Sequence, residues 1–405
     1  MARTVREEQV CNRSESQRTQ TGAKAGDSVM EIKLLYDGKY WIEPLVKSAT
    51  WSGDVAQPHR TLSISYSNTL NADDKRIAFE LGKELRFYVD DVGLFRGVIF
   101  TYDIDDKGDT TITAYDENVY LTKNVDTQKF VGKTAGAIVS SLCKSFGIPV
   151  GTVANTGYVI PKLILRDMSL WDMITTALTE TRKQNNRKFI VYSREGKLFL
   201  REKKDEIVRW MLEDGVNITS ARRSQSIEEM RTAVKAQGGT DEKPITSTAK
   251  DAALIKKYGM MQHVESADSD ATASQIQQLA KAKLKELGKV GEDVSVDALG
   301  ITQVVAGTAV YAFESMTDIV GGYYVNADTH TFQNGTHTMS LTLSKTDDLP
   351  KLEYEESEPK KEAAKKKKKK AKKKSSKANN SGNGSTMKVL DVVSEMESIR
   401  GGAKK

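Results

Sequence analysis

The sequence predicts a β-rich α+β protein in which two blocks of strands flank a mixed helical and hairpin insert and a charged tether follows. Three observations predict it. Apolar/polar alternation fills residues 30–122 and returns over 205–348. Capped, helix-spaced runs occupy much of 123–204. Beyond residue 348 the apolar pattern gives way to lysine.

Residues 1–29 are polar and aperiodic, which predicts a disordered arm without the apolar core of a signal peptide. In the first block, "TLSISYS" sets Leu62, Ile64 and Tyr66 against Thr and Ser, so one face of a strand is buried. "RGVIFTYDIDDKGDTTITAYD" then reads as strand, turn, strand. In the insert, "TAGAIVSSLCKSFGI" predicts a helix that closes at Gly147 before Pro149. A second helix, "SLWDMITTALTETRKQ", takes Ser169 as N-cap and lines up Leu170, Ile174 and Leu178. "RKFIVYSREGKLFLRE" is a hairpin around "SREGK".

The second block is interrupted by helix formers over 246–288, a predicted helical insertion with Ile276, Leu279, Lys283 and Leu287 along one side. Strand texture resumes at "VSVDALGITQVVAGTAVYAFES" and closes on a hairpin at Asn334-Gly335. Both blocks end alike: a strand, an acidic turn, a glycine before apolar residues (Gly97-Val98-Ile99; Gly322-Tyr323-Tyr324), a tight turn and an alternating strand. That order predicts an internal duplication.

The formal charge of +6 misleads, because residues 360–377 hold twelve lysines and one acid, contribute +11, and leave the remainder at −5. A net acidic body does not attract phosphate backbones as a whole. Lys365, Lys366, Lys367, Lys368, Lys369 and Lys370 are the candidate polyanion contacts, weak and nonspecific, within a disordered linker over 349–386. After the linker, Val389, Val392, Val393, Met396 and Ile399 share one helical stripe, and Gly401-Gly402 supplies a stop. Residues 387–400 are expected to form a short amphipathic helix that is ordered only on a partner. The two cysteines, Cys11 and Cys143, make no disulfide framework, in keeping with synthesis in a reducing cytoplasm. "ITQVVAGTAVYAF" is too short and polar to span a bilayer, so no membrane insertion is expected.

The chemical motifs are weak. "GKT" at 132–134 has Thr127 where a phosphate loop needs glycine, and reads better as a helix start. "DIDDKGD" at 103–109 has Lys107 in the fifth calcium-loop position and Ala114 in the twelfth, and reads as a solvated turn. His330 and His337 flank the Asn334-Gly335 turn, and two imidazoles without a third ligand are not a metal site. With no Cys-x-x-Cys pair and no G-x-S-x-G elbow, the expectation is no enzyme, no cofactor and no metal.

The order of elements over residues 30–348, with "SLWDMITTALTETRKQNNRKFIVYSREGKLFLRE" between two β blocks and "GGYYVNADTHTFQNGTHTMSLTLSK" closing the second, resembles the tail hub (baseplate hub) proteins of contractile-tailed bacteriophages and prophage-derived tail particles. The resemblance implies that each β block is a tube-like β-barrel domain and that three chains form a ring of six similar modules. It further implies a symmetry adaptor in the virion tail baseplate, made in the bacterial host cytoplasm. Such an adaptor stacks on the hexameric tail tube protein, meets a trimeric spike protein, and contacts other baseplate or tape-measure components. Residues 1–29 and the chain from about Leu352 onward match nothing in that pattern. Two other classes compete: a nucleic-acid-binding protein that grips phosphate with its lysine tail, and a cell-wall hydrolase component using carboxylates of the insert. The acidic body argues against the first, and the lack of an isolated acid/base pair argues against the second.

Overall fold

A computed structural model describes residues 30–67, 79–203, 209–240, 243–267 and 271–354. The N-terminal arm, the lysines from Lys365 to Lys370 and the stripe from Val389 to Ile399 lie outside the described residues.

The first block contains Ile32–Tyr36 (β1), Tyr40–Trp41 (β2), Val46–Asp54 (β3), Thr61–Ser67 (β4), Glu84–Val89 (β5), Val92–Ile104 (β6) and Asp109–Tyr115 (β7). Alternation does what it predicts: Leu62, Ile64 and Tyr66 are buried beside Leu85, Phe87 and Ile112.

The insert contains Tyr120–Lys123 (α1), Val125–Thr134 (β8), Ala135–Ser145 (α2), Val150–Val153 (β9), Val159–Ser169 (β10), Leu170–Asn185 (α3), Lys188–Arg194 (β11) and Lys197–Lys203 (β12). Its helices start where the sequence provides caps. Thr134 Oγ1 accepts from Ala137 N–H at 3.3 Å, and Ser169 Oγ accepts from Asp172 N–H at 3.0 Å. Past α2, Gly147 turns to φ +67° while Ile148 N–H closes onto Cys143 C=O at 2.9 Å. Ile138, Leu142, Met173, Ile174 and Leu200 form this unit's core.

The second block contains Trp210–Glu213 (β13), Ile218–Ser226 (β14), Ala233–Thr240 (β15), Lys243–Lys250 (β16), Ala252–Tyr258 (α4), Gln262–Ser266 (β17), Ala273–Leu287 (α5), Gly291–Leu299 (β18), Ala309–Glu314 (β19), Ile319–Gln333 (β20) and Thr336–Ser344 (β21). The insertion expected over 246–288 is not purely helical. It joins β15, β16 and β17 in a three-stranded sheet, against which α5 buries Ile276 and Ala280 with Leu279 at their edge. An amphipathic helix needs an apolar surface to cover, and here the sheet provides it.

Five strands of each block repeat one another in pairing order. In the first, the antiparallel pairs are β3–β4, β4–β7, β7–β6 and β6–β5; in the second they are β14–β18, β18–β21, β21–β20 and β20–β19. Bulges fall at matching places. The β6–β7 ladder skips between Ile99 and Thr101, and the β20–β21 ladder between Val325 and Ala327. The β3–β4 ladder skips between Val46 and Ser48, and the β14–β18 ladder between Ile218 and Ser220. Gly82 N–H donates to Ile99 C=O and Gly307 N–H to Val325 C=O, each at 2.8 Å, with φ of +85° and +88°. The first strand of each set differs: β1 pairs antiparallel with β5, β13 parallel with β19.

Both blocks belong to one 13-stranded sheet, because residues 327–333 of β20 pair antiparallel with β3. The expectation of two tube-like barrels therefore meets a continuous sheet in which, among the described residues, neither block closes on itself. The β3 edge of the first block is taken by β20 of the second.

Candidate functional site

The junction between the repeats holds a buried cluster of polar side chains. On the first block, Arg60 lies with its guanidinium carbon 3.8 Å from the ring centroid of Trp51. From β20, the fully buried Asp328 carboxylate accepts from Arg60 Nη1 at 3.0 Å, from Arg60 Nη2, and from Ala306 N–H at 2.6 Å. One carboxylate thus ties the β3–β4 loop, β20 and the loop before β19 together.

The two histidines singled out in the sequence meet here. His330 opposes Trp51 across the β20–β3 ladder, and their rings are 5.3 Å apart. Its Nε2 lies 2.9 Å from Val304 C=O, which can only accept, so that nitrogen carries the proton. Its Nδ1 then accepts from His337 Nε2–H at 2.9 Å. Both rings are held neutral. Burial pushes His337 down to about 4, with the neighbouring His330 adding to the effect, and burial lowers His330 as well. Among the described residues no three His, Cys, Asp or Glu side chains are grouped to hold a metal ion.

Asp116, just past β7, accepts from Arg60 N–H at 2.9 Å and Asn118 N–H at 3.0 Å. Those bonds favour the carboxylate, yet burial outweighs them and pushes the group up to about 7. The other motifs are structural. Thr134 of "GKT" caps α2. Asp105 of "DIDDKGD" folds its turn by accepting from Lys107 N–H at 2.9 Å and Asp109 N–H at 2.8 Å.

A cleft of about 350 Å³ opens beside the junction, between the β3–β4 loop, α3, β11 and residues 349–350. Its cations are engaged. Arg182 donates to Leu349 and Pro350 carbonyls, Arg187 pairs with Glu202, and Lys188 with Asp347. Leu349–Tyr354, where the sequence places the start of the linker, run along the insert: Leu352 N–H donates to Thr179 Oγ1 at 3.2 Å and Tyr354 Oη accepts from Ile164 N–H at 3.1 Å.

Among the open strand edges of the described residues, two correspond to the strands of the junction. One is β14, at an end of the main sheet. The other is the outer half of β6, residues 101–104, on the side away from β7. These are the counterparts of β3 and of the outer half of β20, the strands that meet within the chain. Sequence reading missed the junction because its ladder joins residues more than 270 positions apart, and nothing local encodes that pairing.

Comparison with known proteins follows the same fold. Residues 49–344 match the YQBQ-like family. An uncharacterized Bacillus subtilis (strain 168) protein, YqbQ, is 34% identical over 312 residues, 76% of this chain and 95% of that protein. The phage-like element PBSX protein XkdQ of the same strain is 32% identical over 325 residues, 80% of this chain and 99% of that one. Among solved structures, the 43 kDa tail protein of prophage MuSo2 from Shewanella oneidensis shares the fold, with a TM-score of 0.61 at 14% identity over 79% of this chain and 99% of that chain.

Proposed function

The chain belongs to the YQBQ-like family, and from that membership we propose that it is the structural hub of a phage-tail baseplate, a symmetry adaptor between a sixfold tail tube and a threefold spike. The observation that carries the reading is the five-strand repeat within one chain. Three chains with two equivalent modules each present six similar edges to a hexameric partner while keeping threefold symmetry for a trimeric one. The two tube-like modules are completed in the assembly, where each open edge meets another chain. A role in a tail agrees with kinship to a protein of a phage-like element and with the fold shared with a prophage tail protein. The role is structural and needs no catalytic centre. Residues 387–400, with Val389, Val392, Val393, Met396 and Ile399, then tether a baseplate or tape-measure component.

Light scattering on the full-length chain tests the adaptor reading, with a trimer expected alone or with a tube or spike partner. A monomer at high concentration, together with the absence of a ring in reconstituted tails, overturns it. Deleting residues 386–405 should leave the hub assembled and lower the yield of complete tails. Unchanged yield removes the tether.

A further inference from the structure

We propose that the outer half of β6 in one protomer pairs antiparallel with β14 of the next, in the register that joins β20 to β3 within a chain. The proposal rests on the ring reading above and names the strands, register and charges that close it. Within the chain, Ala327 opposes Asp54, Asp328 opposes Gly53, Thr329 opposes Ser52 and His330 opposes Trp51, and Val55 N–H donates to Asn326 C=O at 2.9 Å. The shared bulges fix the equivalences. Ile99 corresponds to Val325, and Val46 to Ile218. Carried across, Thr101 opposes Ser226, Tyr102 opposes Gln225, Asp103 opposes Ser224 and Ile104 opposes Arg223. Ile227 N–H then donates to Phe100 C=O.

The occupant of each edge is a second copy of this chain, because the two open edges are the two halves of a junction the molecule already makes with itself. Their charges also match. Asp103 and Asp105 are exposed on the β6 side, and Arg222 is exposed on β14 with no ion pair among the described residues. In the carried register Arg222 lies between those two carboxylates, directly opposite Asp105 and diagonal to Asp103. Its neighbour Arg223 is already held by Glu292 at 2.5 Å and Asp318 at 2.9 Å. Within the chain the first repeat supplies the cation, Arg60, and the second the anion, Asp328. Between chains the sense is reversed, so the two junctions do not compete for one another's partners.

The register makes a sharp test. The Val55–Asn326 hydrogen bond places Thr329 and Ser52 in a non-hydrogen-bonded pair, where side chains approach most closely. Asp103 and Ser224 inherit that geometry, which suits a disulfide. In a full-length Cys11→Ser background, with Cys143 buried, an Asp103→Cys/Ser224→Cys chain should form covalent oligomers on mild oxidation. An Asp103→Cys/Ser220→Cys chain, whose cysteines the register keeps well apart, should not. Arg222→Glu should cut assembly by about tenfold or more through like-charge opposition, and adding Asp103→Lys should restore it. Light scattering on the Cys11→Ser parent separates the failures. A ring without the in-register cross-link, or with the off-register one, overturns this pairing and leaves the hub; a parent that stays monomeric with no ring in tails overturns the hub itself.

Discussion

Asp328 is the residue on which the junction depends most, since its buried carboxylate satisfies a guanidinium and a backbone amide from two other elements. Such a pair adds little over a well-packed apolar replacement, but removing one partner strands a buried charge at a cost of about 3–5 kcal/mol. Asp328→Ala should lower unfolding stability by about that amount in urea titrations, and a loss below about 1 kcal/mol would show that Arg60 finds other partners or water. Titration adds a second expectation. His337 ordinarily takes a proton near 6.5 and here only at about 4, so the unfolded chain binds more protons between those values. Its contribution is therefore complete above 6.5 and is lost as pH falls through about 4. Asp116 runs the other way: raised from 3.8 to about 7, it contributes fully below 3.8 and loses that contribution as pH rises through 7. The difference in stability between the wild-type chain and His337→Asn should shrink steadily from pH 6.5 to pH 4. A difference flat across that window would mean that the ring is not held neutral.

At the scale of elements, the repeat turns on two glycines the sequence does not advertise. Gly82 and Gly307 hold equivalent left-handed positions and donate equivalent hydrogen bonds. An added Cβ at Gly82 meets nothing within 4 Å, so Gly82→Ala should cost about 1–2 kcal/mol from backbone conformation alone. At Gly307 it meets Ile190 Cδ1 at 3.0 Å, so Gly307→Ala should lower the melting temperature further. Equal effects would mean that Ile190 moves aside freely. The glycines that do stand out in the sequence mislead by one residue. Gly97 and Gly322 look equivalent in the text, but the ladders put Val98 and Tyr324 opposite Glu84 and Ala309, which aligns Gly97 with Tyr323. Gly97 exists because a Cβ would lie 2.3 Å from Tyr115 C=O, whereas Gly322 has open space around it. Local signals were legible wherever one segment decides the outcome: the Thr134 and Ser169 caps, the turn at Glu195-Gly196, the Asn334-Gly335 hairpin. Strands chosen by distant partners were not. β8 reads as polar connecting chain until β10 is set beside it, and β16 hides among helix formers until β15 pairs with it.

At the scale of the whole molecule, the compact unit runs to Tyr354 and the lysine-rich sequence follows it. Lys183 pairs with Glu353, and Tyr354 packs into the core of the insert. A chain ending at Glu358 therefore keeps every described contact of the body and loses the twelve lysines that follow. It should melt at the same temperature and scatter light as the same oligomer. Its affinity for duplex DNA should vanish, because the body without residues 360–377 carries a net negative charge. The full-length chain should bind DNA weakly and without sequence preference. If about six of its lysines engage phosphates, affinity should fall on the order of a thousandfold between roughly 50 and 200 mM salt. Fluorescence anisotropy on both chains across that range checks the expectation. DNA binding that survives truncation would require a basic site on the body, and the first place to look is the open β14 edge, where Arg222 is exposed. Arg222→Glu would then abolish the residual binding, whereas in the ring proposed above the same arginine would face Asp103 and Asp105 and be closed to DNA.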